Sequence, residues 1–561
     1  MRCKIIISIQ FLAVNGYKKI KGRRNQHGFL CNRGYINNED EKDVHMFKKL
    51  LGNVDYPLFL FNIILFLGVV WMGIFRTEAL VGTLNQLQGV ISTNFGGYYS
   101  IFAVSCLIFS LWCAFGPYGH IKLGQDHEEP EYSNLSWFAM LFSCGIGLGF
   151  IFWGVAEPLN HYMKTPYLAE PATPEAASVA MQISYLHWGL HPWSMYVAGG
   201  LGIAYFSFRL GQPMTMATGL YGLLGDRIYG FWGRVVNFLA AFASIGGVTT
   251  MMGLGILSIN FGITHVTGIE MTTGVTVLVL ALFVAAYISS AVSGLQRGIK
   301  YLSNINILLA ILVVIYVFLL GPTRFLIDLL SNSIGHYFQN FIFMSFWTDP
   351  VEKTEWLGWW TVFYWAFWVA WTPFVGGFIA RISRGRTIRE YVIGGIFIPT
   401  AVLMVCFVSF GGSSIYAEMN GVVKLWEAVS ADYGSGIFTL LQAYPLGYIA
   451  SIVIFVDLIT FLITSADSGA FLVAMVMSKG ELEPKAGMKI IWGIIMGALS
   501  IVLLVGGGLK AVQSATIIAG LPYSIVMIAM MVSLVKGLKK EPTKHEKIQL
   551  DYAKSTATER S

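Results

Sequence analysis

Charge is what this chain has least of: Asp, Glu, Lys and Arg make up 12% of 561 residues, against roughly 25% in soluble domains. A water-facing surface is hard to build at that density. With 55% hydrophobic residues and a mean hydropathy of +0.63, the composition points to a bilayer. Cysteine is scarce as well. Cys3, Cys31, Cys106, Cys113, Cys144 and Cys406 show no CxxC spacing, so they read as small hydrophobes rather than a disulfide framework or a metal site. The net charge is +6 and forms no basic stripe, so no nucleic-acid partner is expected. No nucleophile–base set or metal-ligand spacing emerges, and neither an enzyme nor an organic cofactor is expected. Aromatics are plentiful instead. They reach 14%, with 16 tryptophans, more than anchoring at two membrane interfaces requires.

Residues 1–50 read as a polar tail, because spanning takes about 20 apolar residues and this stretch has only a short apolar patch. Met46 directly precedes Lys48, Lys49 and the first long apolar run, which makes it the expected start of the native protein; an intact mass that includes residues 1–45 would reject that start. Apolar stretches of spanning length then recur at 56–76, 99–117, 136–156, 179–207, 231–261, 271–292, 302–321, 357–380, 391–414, 445–475, 488–507 and 510–535. The sequence therefore predicts an all-α membrane protein with twelve transmembrane helices within 51–535. Residues 323–345 mix apolar and polar positions at helical spacing and are expected to lie in the interface as an amphipathic helix.

The placement of basic residues gives an independent check. With the N-terminus inside, the loops expected on the cytoplasmic side carry Lys122, Arg209, Arg227, Arg297, Lys300, Lys479, Lys485, Lys489 and the cluster Arg381, Arg384, Arg386 and Arg389. Few lie in the others. A multi-pass protein of the plasma membrane follows, with both termini cytoplasmic and a C-terminal tail over 536–561.

Three segments carry chemistry. The third stretch holds Gly145, Gly147 and Gly149; the first and last share a helix face, but Gly147 points roughly 200° away from Gly145, so packing explains only two. Each costs a helix about 1 kcal/mol relative to Ala, so the stretch is expected to unwind around a binding site. In the fourth, Trp188, Tyr196 and Trp193 fall at roughly 0°, 80° and 140° on one broad face, and Pro192 loosens the backbone. His187 and His191 read there as packing or hydrogen-bonding groups. The eighth runs WWTVFYWAFWVAWTP. Trp360, Tyr364, Phe367 and Trp371 form one stripe while Trp365 and Trp368 project elsewhere.

Such indoles suit a quaternary ammonium. It has no N–H to donate, so ring faces hold it by cation–π attraction and apolar contact, whereas a primary amine would leave its donors unpaired. In the tenth stretch Thr464 and Ser465 offer hydroxyl oxygens to a hard cation such as sodium, and Asp467 is an intramembrane acid.

Taken in order, GIGLG followed by AEP, HWGLHPWSMY, YWAFWVAWTPFVGGFIARISRGRTIRE and TSADSG resemble the betaine/carnitine/choline transporter family from about residue 50 to 535. The resemblance implies a LeuT-like fold: 5+5 inverted repeats at about 136–321 and 357–535, preceded by two N-terminal helices, usually as a homotrimer in the lipid bilayer. By position it places an aromatic box on Trp188, Trp193, Tyr196 and Trp368, with Trp365 and Trp371 along the substrate path and Gly145, Gly147 and Gly149 at the substrate. The family's second sodium site falls on backbone oxygens of Ser143, Ile146 and Phe461 with the hydroxyls of Thr464 and Ser465. Phe367 stands where many members have Trp. The Thr464 and Ser465 hydroxyls, with no Arg in the fifth span of the kind that replaces sodium in the family's carnitine exchanger, imply sodium symport, and Gly149, where the family's proton-coupled choline carriers tend to have an acidic residue, favours a zwitterion such as glycine betaine. Choline or carnitine transport, or a transport-inactive membrane sensor, are the alternatives.

Overall fold

The structure is a computed structural model that describes residues 50–145, 147–293, 296–481, 483–547 and 549, with side chains described throughout except at 142–148 and 291–304. Among these residues the chain is helical, and an isolated bridge between Lys122 and Thr387 is its only β pairing. The helices that frame the interior are α1 Tyr56–Phe75, α2 Thr77–Phe115, α3 Asn134–Gly145, α4 Gly147–Met163, α5 Pro174–Trp188, α6 Leu190–Ala204 and α7 Phe231–Thr267. They continue with α8 Thr273–Ser293, α9 Gln296–Leu320, α10 Thr323–Phe346, α11 Phe363–Ile382, α12 Ile388–Phe407, α13 Gly447–Met477 and α14 Ala486–Leu538.

Eight helices among the described residues are long and apolar enough to cross a membrane, or nine if the bent pair α9 and α10 is counted as one span. The difference from the twelve apolar stretches lies in where the chain breaks and where it does not. The fourth stretch divides into α5 and α6 at Gly189, which adopts φ −97° and ψ −123°. Pro192 explains the location, because a proline ring clashes with the carbonyl four residues earlier, here that of Trp188. The last two stretches are two helices that meet at a kink at Gly508, φ 60° and ψ −149°, and are labelled together as α14. That left-handed geometry is open to glycine at little cost.

In the glycine-rich third stretch Gly145 ends α3 and Gly147 to Gly149 open α4, while Ile146 between them, where the expected unwinding falls, lies outside the described residues. A helical glycine costs about 1 kcal/mol, and at Gly149 a Cβ would meet the Trp188 ring at 3.4 Å, an ordinary contact, so packing alone does not demand glycine there.

α6 and α11 lie against each other at the centre, with α2, α7 and α14 packed around them. Small residues allow the approach. A Cβ at Gly200 would sit 2.3 Å from the carbonyl oxygen of Gly376, and one at Gly199 2.2 Å from Thr372. This contact sets the rings of α6 beside those of α11. α10 leaves α9 at 106° and packs Leu326, Leu329, Ser333 and Tyr337 inward, mainly against α5.

The arginine cluster after α11 is consumed in holding the loop between α2 and α3. Arg381 pairs with Glu131 at 3.2 Å, Arg384 with Glu128 at 2.8 Å, and Arg386 reaches Asn134 and lies 4.1 Å over the ring of Trp137. The same loop meets the C-terminal segment. Arg209 grips Glu541 through two nitrogens at 2.6 and 2.8 Å and also bonds Asp126 at 2.8 Å, while Lys547 reaches the other Asp126 oxygen at 3.1 Å. Hydrogen bonds from Arg209 and Lys547 hold the Asp126 carboxyl down to about 2.

Candidate functional site

The rings singled out in the fourth and eighth stretches meet where α5, α6 and α11 come together. Trp193 packs edge to face on Tyr196 at 5.7 Å between centroids, Tyr196 on Trp368 at 5.6 Å, and Trp368 on Trp188 at 5.0 Å, with interplanar angles of 84°, 84° and 86°. All four are buried. Edge-to-face contact sets the positive rim of one ring against the negative face of the next. Gly149 on α4 and Phe407 at the end of α12, 5.2 Å from Trp188, border the same indole.

The indole nitrogens explain how the rings are aimed. Trp188 donates its N–H to Oε2 of Glu157 at 2.7 Å, and Trp368 donates to the backbone carbonyl of His187 at 2.8 Å. Glu157 is wholly buried. Its Oε2 also accepts from the Tyr364 hydroxyl, and its Oε1 lies 2.8 Å from Nδ1 of His187, whose Nε2 lies 3.0 Å from Thr361. A carboxylate at this depth is costly unless several donors meet it. Here a tryptophan, a tyrosine and a histidine do so, and the acid in turn fixes two of the site's rings.

Other expected residues take different places. Trp365 lies on His191 at 5.3 Å and near His187 at 5.8 Å, outside the four-ring chain. Trp371, one turn beyond Trp368, packs against Phe367 and Phe374 and faces α7, where a Cβ at Gly247 would lie 3.1 Å from its indole nitrogen. The indole N–H groups of Trp193, Trp365 and Trp371 have no acceptor among the described residues. His191 stacks on Phe341 at 5.0 Å, and neither of its nitrogens has a hydrogen-bond partner among the described residues, in keeping with the packing reading.

The residues expected to hold a cation are less gathered. Thr464 is nearly buried and its hydroxyl donates to the carbonyls of Thr460 and Phe461 in its own helix, at 3.0 and 3.1 Å. Ser465 is half-buried beside it. Ser143 stands in the last turn of α3, and Ile146 lies outside the described residues. α13 does pack against α4, so the elements that would share a cation are neighbours. Two hydroxyls and nearby carbonyls are the hard oxygen donors sodium prefers. Asp467 accepts from Ser290 at 3.1 Å, a structural hydrogen bond.

Reasoning from sequence passed over Glu157. The signal was present, since an acid inside an apolar stretch is a functional candidate by default. Asp457 carries the same signal; it is fully buried in α13 with no hydrogen bond to either carboxylate oxygen among the described residues.

Long apolar helices around a buried cluster of rings, with an acid placed to orient them, define a multi-pass helical membrane protein. The comparisons narrow the class. The family model for "betaine/carnitine/choline family transporter" matches residues 57–543, and the chain belongs to that family. It is 41% identical over 490 residues to the glycine betaine transporter of Bacillus subtilis (strain 168), covering 87% of this chain and 95% of that one. It is 37% identical over 487 residues to a probable glycine betaine transporter of Desulfitobacterium hafniense (strain Y51), covering 86% and 97%. Similarity of 37% over 502 residues extends to an ectoine/hydroxyectoine transporter of Virgibacillus pantothenticus, covering 89% and 99%.

Proposed function

We propose that this protein takes up a quaternary-ammonium compatible solute, glycine betaine first, by sodium symport, and that the uptake serves osmoprotection. The observation that carries the reading is the edge-to-face chain Trp193, Tyr196, Trp368 and Trp188 with two of its indole nitrogens tied back, on Glu157 and on the backbone of His187. Rings held by their N–H edges offer faces, not donors, to a ligand, and faces are what a trimethylammonium group binds. The names of two of the relatives above agree with that substrate.

A zwitterion needs an anion partner too. The unpaired indole N–H groups of Trp193, Trp365 and Trp371 are buried donors whose lack of an acceptor is itself unfavourable, so a carboxylate reaching one gains a hydrogen bond at little cost. For sodium, Thr464 and Ser465 are the oxygen donors, and Thr464 becomes a ligand once its hydroxyl turns from the helix carbonyls. The reading extends to twelve spans in two inverted repeats, a homotrimer, and both termini in the cytoplasm.

The experiment is radiolabelled uptake into proteoliposomes, with betaine, choline, carnitine, ectoine and proline offered in turn, with and without a sodium gradient. Betaine accumulation that collapses without sodium is expected. Choline, carnitine or ectoine accumulating in its place would replace the substrate, and equal uptake without sodium would end the symport claim. No uptake of any of them would favour the sensor alternative.

A further inference from the structure

The acid that orients the rings has a second face the carrier reading does not use. Glu157 and His161 stand four residues apart on α4 and so share one side of the helix. His187 projects from α5 toward the same point, and one ligating atom from each of the three lies within 4.8 Å of the others. Oε1 of Glu157 is 2.8 Å from Nδ1 of His187 and 3.5 Å from Nε2 of His161, and all three side chains are wholly buried.

Hydrogen bonding divides the work between the two carboxylate oxygens. Oε2 is engaged by Trp188 and Tyr364, which leaves Oε1 facing the imidazoles. His187 is held from behind, its Nε2 at 3.0 Å from Thr361 and its Nδ1 turned inward. An imidazole whose outer nitrogen is fixed by a neighbour, and a carboxylate whose second oxygen is hydrogen-bonded, are the outer contacts that orient metal ligands. His161 gives the independent sign. Its Nδ1 has no hydrogen-bond partner among the described residues and its Nε2 only the 3.5 Å approach to the carboxylate, although the ring is fully buried against Trp360 at 4.5 Å and Trp356 at 5.3 Å.

We propose that Glu157, His161 and His187 form a buried site for a divalent transition metal, zinc first, beside Trp188. Two imidazoles and one carboxylate make a common zinc set with a fourth position left open, whereas magnesium and calcium require oxygen ligands throughout. Tetrahedral ligation places ligand atoms about 3.3 Å apart, so Oε1 and Nδ1 separate slightly and His187 takes the tautomer that donates to Thr361. Because the other oxygen of the same carboxylate holds Trp188 and Tyr364, a seated metal clamps the wall of the ring cluster and stops turnover. That last effect rests on the carrier reading above; the binding does not.

The test uses the full chain, purified in detergent, stripped with EDTA and titrated with Zn2+ alone. Bound metal is counted by mass spectrometry after desalting, and Co2+ is used as a visible probe of tetrahedral ligation. One Zn2+ per chain is expected in the wild type, at least tenfold weaker binding in His161→Ala and in the closer-shaped His161→Asn, and recovery in His161→Cys. Absence of bound zinc in the wild type, or wild-type affinity in both His161→Ala and His161→Asn, would overturn the site. Inhibition of uptake by Zn2+ and its reversal by EDTA are expected in proteoliposomes. Zinc bound with uptake untouched would overturn the clamp, and a protein that moves no solute but still binds one zinc would separate this site from the carrier reading.

Discussion

Trp188 places its indole N–H 2.7 Å from Oε2 of Glu157, so the orientation of a ring on α5 is set by an acid on α4. Replacing that acid tests the relationship. Glu157→Gln keeps the shape but turns one acceptor into a donor facing other donors. Hydrogen bonds to a charged group contribute about 1.5–3 kcal/mol, so the half-saturation for substrate should rise on the order of tenfold or more while the protein still elutes as a folded particle. An unchanged value would show that the indole finds its orientation without the acid.

Trp368 donates to a main-chain carbonyl and contacts two further rings of the chain. Trp368→Ala removes a buried cation–π partner and should weaken substrate binding by about 1–2 kcal/mol. Calorimetric titration of the purified protein measures this directly. Trp368→Phe, which keeps a face but drops the N–H, should fall between wild type and Ala.

Gly149 points at Trp188, and a Cβ there would make ordinary contact at 3.4 Å. Gly149→Ala should therefore fold and bind. Gly149→Asp places a negative charge against the rings, which favours a net cation over a zwitterion, so competition by choline against labelled betaine should strengthen. A variant that prefers betaine as strongly as wild type would separate Gly149 from the bound ligand.

Thr464 holds its hydroxyl on its own helix. Such back-bonding contributes little to the helix, so Thr464→Ala should leave thermal stability nearly unchanged while raising the sodium concentration for half-maximal uptake several-fold. Thr464→Ser, which retains the oxygen, should stay near wild type.

Asp126 ties the C-terminal segment to Arg209 and Lys547, and its carboxyl sits below the usual range at about 2. A depressed acid contributes stability that is present above its unfolded value near 3.8 and is lost as pH falls through 2. The segment should therefore stay docked from neutral pH down to about 5 and loosen below about 4. Its pairs are partly exposed and individually weak, on the order of 0.2–1 kcal/mol. Faster tryptic cleavage at Lys544 and Lys547 in Asp126→Asn at pH 8 is the expected readout.

Motif residues were the legible part. The order of apolar stretches and the rings of α5, α6 and α11 follow from hydropathy and helical spacing, because burial in a bilayer leaves little else to decide them. Glu157 was not legible as a ring-orienting group, since its effect depends on where α4 meets α5, a tertiary contact no local pattern encodes. The division of the fourth stretch was legible in Pro192 but displaced, because the steric conflict acts four residues back, at Trp188, and the adjoining glycine absorbs it. Trp365 and Trp371 share a helix with Trp368 yet face other neighbours, so membership in one aromatic run said little about which ring joins which wall.

The anchor of Trp368 belongs to the peptide backbone at position 187, one residue before α5 ends. No side-chain replacement at that position can abolish the acceptor, so sequence drift there leaves this ring's tether intact. Only a shift of the α5 main chain itself can release it, so the orientation of a ring on α11 is tied to the backbone geometry next to the joint at Gly189.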